Sequence, residues 1–71
     1  MGYNTGEKVK WNWGDGKGVG EIKNVYTSKT TCMIKGSEIT RNATKDCPAY
    51  YIVQDDGDEV LKLHSEVQKV S

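Results

Sequence analysis

The polar and apolar positions of this chain follow a period of two, broken every few residues. Val9-Lys10-Trp11-Asn12-Trp13 alternates strictly, which predicts a half-buried strand with Val9, Trp11 and Trp13 on one face. Gly14-Asp15-Gly16-Lys17-Gly18 interrupts it and reads as a hinge between two strands. Strand character resumes over 19–26. There Ile22 and Val25 lie three apart, so either a bulge near Lys23-Asn24 resets the register or one of the two faces solvent. Residues 30–35 are β-branched and apolar, with Cys32 and Ile34 on one side and Met33 on the other. Lys35-Gly36-Ser37-Glu38 reads as a hairpin turn, 39–41 as its return strand and 42–48 as a polar loop.

Tyr50-Tyr51-Ile52-Val53 is the most apolar run, and its short length and β-branched content favour a central strand. Asp55-Asp56-Gly57-Asp58 is the strongest hairpin signal, since Asp-Gly suits a type I′ turn. Residues 60–63 return as a strand. His64-Ser65-Glu66-Val67 suits one helical turn capped by Ser65, and 68–70 a last short strand. No stretch repeats apolar residues at helical spacing over three turns. The pattern therefore predicts an all-β fold, a small antiparallel barrel or a strongly bent sandwich.

Length and charge narrow this further. Seventy-one residues make one domain with a small core. The expected boundaries are 5–70 for that domain, after a short tail over 1–4. Ten basic and ten acidic side chains cancel, which argues against a generic polyanion binder. The cancellation is uneven: residues 1–41 carry a net charge of +3 and residues 42–71 a net charge of −3. The basic face of one copy meeting the acidic hairpin of another is one consequence; a monomer is the default expectation. No apolar run approaches the roughly 20 residues of a membrane helix, and no secretory signal opens the chain, so a cytoplasmic location is expected. Cys32 and Cys47 are then expected as free thiols, unless their Cα atoms come within about 7 Å.

Several blocks together resemble a known family. They are Ile34-Lys35-Gly36-Ser37-Glu38-Ile39-Thr40-Arg41-Asn42-Ala43, Pro48-Ala49-Tyr50, Gln54-Asp55-Asp56-Gly57-Asp58 and Ser65-Glu66-Val67. The chain resembles the hypervirulence-associated protein Tudor-domain family over nearly its whole length. The Arg-Asn-Ala and Pro-Ala-Tyr blocks are the most specific part. The resemblance implies a small SH3-like (Tudor-like) antiparallel β-barrel of five to six short strands, a fold of small bacterial proteins. It implies a non-enzymatic binding module and leaves the ligand open.

Catalysis and metal binding find little support. His64 is the single histidine, and no spacing sets a cysteine beside it as a nucleophile. Structural zinc needs four Cys or His ligands, and the chain has two Cys and one His. No metal or other cofactor is expected. In Tudor-like barrels, aromatics and an acidic residue form cages for methylated cations. The candidate parts here are Trp13, Tyr26, Tyr50, Tyr51 and Asp56, although small barrels also use aromatics as core. A protein or peptide ligand is the leading expectation. Nucleic acid is the alternative, through a basic strand face of Lys8, Lys10 and Lys23.

Overall fold

The computed structural model describes residues 2–70; the side chain of Trp13 lies outside the described set. Its organising strand is the apolar run around Tyr50. Ala49–Gln54 pairs with Gly16–Tyr26 on one side and Glu59–Leu63 on the other. Its side chains alternate, yet both faces are covered. Tyr50 and Ile52 join Val9, Trp11, Ile22 and Val67 in one core. Ala49 joins Ile34, Ala43 and Leu61 in a second, where Tyr51 packs half-buried. A continuous apolar run is the sequence form of a strand buried on both faces.

The strands in order are β1 (Lys8–Trp13), β2 (Gly16–Tyr26), β3 (Thr30–Ile34), β4 (Ser37–Arg41), β5 (Ala49–Gln54), β6 (Glu59–Leu63) and β7 (Gln68–Lys69). A 3-10 turn, His64–Glu66, precedes β7. The fold is all-β and antiparallel, as expected. Five strands form one sheet in the order β6-β5-β2-β1-β7, and β3–β4 forms a separate hairpin. Among the described residues seven strands are present, not five or six, because two-residue β7 pairs with β1. Among the described residues the strand ladder does not close into a ring. The two cores explain this: the hairpin covers the outer face of β5 and β6 instead of extending the sheet.

The bulge expected near Lys23 is present, as a register shift between Ile22 and Asn24 against β5. It has a packing role. Ile22 lies opposite Ile52 and faces the first core, whereas Tyr26 lies opposite Ala49 and packs in the second. One inserted residue sends the end of β2 to the other face. Val25 is also exposed, so both readings of the Ile22–Val25 spacing hold.

Three local readings need correction. The glycine-rich stretch reverses the chain between two strands only over Gly14-Asp15: Gly16 and Gly18 are β2 residues opposite Trp13 and Trp11. Gly18 lies against the Trp11 indole, where a Cβ would come 2.5 Å from Cε2. Glycine is there for close approach. The Asp56-Gly57 turn is not type I′, which needs positive φ at both central residues. Only Gly57 has it, at 91°, and Gly57 N–H donates to Gln54 O at 2.9 Å. This is a three-residue loop with glycine in the left-handed position. Finally, Ser65 does not cap the 3-10 turn. Glu66 does, its Oε1 accepting from Leu63 N–H at 2.9 Å.

Within the segment expected as a tail, Tyr3 is docked. Tyr3 N–H donates to the Tyr50 hydroxyl at 2.9 Å, and the Tyr3 ring lies 4.9 Å from the His64 ring centroid. Gly6 N–H and Ile22 N–H each bond across to the other segment, to Ile22 O and Glu7 O.

Candidate functional site

Four residues of the expected aromatic patch have described side chains, and these lie in three places: Tyr50 in the first core, Tyr26 and Tyr51 around the second, and Asp56 at a loop tip. Tyr50 is 0% exposed and belongs to the first core. Its hydroxyl accepts from Tyr3 N–H and bonds His64 Nδ1 at 2.8 Å. Burial pushes its phenol above the ordinary range. Tyr26 and Tyr51 are half-buried around the second core, on the opposite side of β5. Tyr51 donates its hydroxyl proton to Glu59. Burial and the neighbouring Cys32 raise the Tyr26 phenol. Asp56 stands at the exposed tip of the β5–β6 loop, with Oδ1 accepting from Asp58 N–H at 3.0 Å. Trp13 has its backbone paired to Gly16, and its side chain lies outside the described residues.

Two of the three lysines of the expected basic face lie beside carboxylates. Lys8 and Lys23 are exposed, and each has a carboxylate beside it. Lys8 Nζ is 3.7 Å from Asp55, and Lys23 Nζ is 3.3 Å from Glu21. Lys10 forms no ion pair among the described residues, and neither does Lys17, which lies opposite Asn12 in β2.

Two clefts meet at Trp11. The first, about 170 Å³, lies where β1 passes the 3-10 turn and β7, and its polar walls include Lys10, Asn12, Lys17, Ser65 and Gln68. The second, about 200 Å³, lies where Trp11 meets Val60 and Lys62 of β6, with Lys35, Asp58 and Glu59 on its rim. Trp11 itself is only 5% exposed, a fixed wall rather than a free ring.

The carboxylates around both clefts are engaged. Glu66 accepts from Leu63 N–H and lies 3.9 Å from Arg41. Asp58 pairs with Lys35 at 2.9 Å, which raises the Lys35 ammonium above its usual range. Glu59 accepts from Tyr51. Lys10, Lys17 and Lys62 are left uncompensated among the described residues.

The backbone beside the first cleft is also open. β7 pairs with β1 only through Lys10, whereas β1 runs on to Trp13. Val70 N–H donates to Lys8 O at 3.1 Å, so Lys8 turns its backbone groups toward this edge. By the two-residue period, Asn12 does the same beyond the end of β7. The opposite edge of the sheet is covered: Arg41 Nε donates to Leu61 O at 3.3 Å, and Glu66 takes Leu63 N–H.

Trp11 and Lys17 were not among the expected site residues. Trp11 reads as core, and it is core as well as wall. Lys17 sits in a stretch that reads as a turn. Pairing Asn12 with Lys17 across a two-residue reversal is the signal that places it beside Lys10.

A family model for the hypervirulence associated proteins TUDOR domain matches residues 6–67. No curated protein and no solved structure matches the chain. Among the described residues, no helix is long and apolar enough to cross a membrane.

Proposed function

The chain belongs to the hypervirulence-associated protein Tudor-domain family, and from that premise we propose that it is a non-enzymatic binding module taking an extended protein or peptide segment along the open end of β1. One observation carries the reading. β7 stops at Lys10, and the uncovered stretch of β1 holds Trp11, the common wall of both clefts. A strand added to an open edge gains main-chain hydrogen bonds, while neighbouring pockets read alternate side chains. Clefts of about 170 and 200 Å³ are side-chain-sized; small-molecule sites run to roughly 300–1,000 Å³.

Nucleic acid is the competing reading, favoured by the unpaired Lys10 and Lys17. Binding of single strands also uses exposed aromatic platforms. Among the described residues, neither Trp11 nor any tyrosine is exposed.

Amide chemical-shift mapping of the full chain against a pool of unstructured heptapeptides tests the proposal. Shifts centred on residues 10–13 and 65–68 support it. Shifts produced only by an oligonucleotide, and lost steeply with salt, replace it with the nucleic-acid reading.

A further inference from the structure

We infer that the cleft between β1 and the 3-10 turn is an anion subsite, so that the preferred peptide is acidic; this rests on the peptide-binding reading above. Lys8, Lys23, Lys35 and Lys69 each face a carboxylate within 4 Å. Lys10 and Lys17 line one cleft and, among the described residues, face none. The single carboxylate among the described residues lining that cleft, Glu66, is already held by Arg41 and by Leu63 N–H. Two lysines therefore share a polar hollow with no free counter-charge among the described residues.

The neutral lining suits the same ligand. Asn12 and Gln68 present amide N–H donors, and Ser65 presents a hydroxyl. Charge-assisted hydrogen bonds from lysine to a carboxylate are about twice as strong as neutral ones. The rigid Trp11 wall excludes water from one side, which lowers screening. Asn12 also carries the open backbone edge, so a strand laid there sets an acidic side chain directly at the cleft mouth. A cationic ligand, the kind Tudor-like cages take, meets repulsion at this position.

The test uses the full chain and four probes: a glutamate-rich heptapeptide, its glutamine counterpart, inorganic sulfate and an oligonucleotide. The acidic peptide is expected to bind about tenfold more tightly than the neutral one, the scale of one charge-assisted contact. K10Q with K17Q should remove that difference. Equal affinity of the two peptides, or full retention of the preference in the double variant, overturns the subsite. If neither peptide binds, the peptide-binding reading fails, and sulfate then reports on the subsite alone. Sulfate shifts at Lys10 and Gln68 that vanish in the double variant uphold it; no sulfate shift overturns it. An oligonucleotide that outcompetes the acidic peptide overturns the choice of ligand.

Discussion

The Tyr50 hydroxyl joins three parts of the chain at one atom. It accepts from Tyr3 N–H at 2.9 Å and is hydrogen-bonded to His64 Nδ1 at 2.8 Å. Tyr50→Phe keeps the buried ring and strands both partners. It should cost about 1–3 kcal/mol in chemical denaturation and free the segment before Gly6. Burial raises the Tyr50 phenol, so the fold favours its neutral form. That contribution is complete below the ordinary tyrosine value of about 10 and is lost as pH rises through the folded value. Alkaline unfolding should therefore shift to higher pH in Tyr50→Phe relative to its own neutral-pH stability. Glu7 works in the opposite direction. Asn4 N–H first, and Lys69 second, hold its carboxyl below the usual range. Its contribution is present above about pH 4.3 and fades as pH falls through the lowered folded value. The amide shift of Asn4 should follow that acid titration, and Glu7→Gln should abolish it.

At the scale of elements, the β6 edge is closed by two side chains from distant parts of the chain. Arg41 from β4 and Glu66 from the 3-10 turn reach Leu61 O and Leu63 N and lie 3.9 Å from each other. Both residues sit in the blocks that carry the family resemblance, and their meeting gives those blocks a structural reason. Exposed sheet edges invite pairing with other chains. Arg41→Ala should cost about 1 kcal/mol, since the pair is one-third exposed. It should also produce concentration-dependent association in sedimentation, where the parent chain shows less. These elements also mark what was legible. Strict alternation in β1, the apolar run of β5 and the bulge after Ile22 are local patterns, and each was readable. So was the hairpin at Asp56-Gly57, but not its turn type, because Asp-Gly suits both loop types and strand register chooses between them. Gly16 and Gly18 were misread for a related reason: what they pack against, Trp11, lies across a strand pairing that composition does not reveal. The scattered aromatic patch has the same origin. Tyr50 and Tyr51 are neighbours in sequence, and neighbours on a strand face opposite ways.

For the whole molecule, the uneven charge of the two halves has a simple resolution. Lys8–Asp55, Lys35–Asp58 and Arg41–Glu66 each join a cation of the first half to an anion of the second. Folding thus turns a sequence dipole into internal ion pairs, and Asp55 meets Lys8 of its own chain. What remains is local: Lys10 and Lys17 beside Trp11, at the point where β1 loses its neighbour. The account makes that point the working surface of the protein. Intermolecular nuclear Overhauser effects between a bound acidic peptide and the full chain test this most directly. The account predicts contacts from the peptide to the Trp11 indole and to Gln68, with peptide amides beside Asn12. Contacts confined to the exposed Met33 face of β3, with none to Trp11, would contradict it.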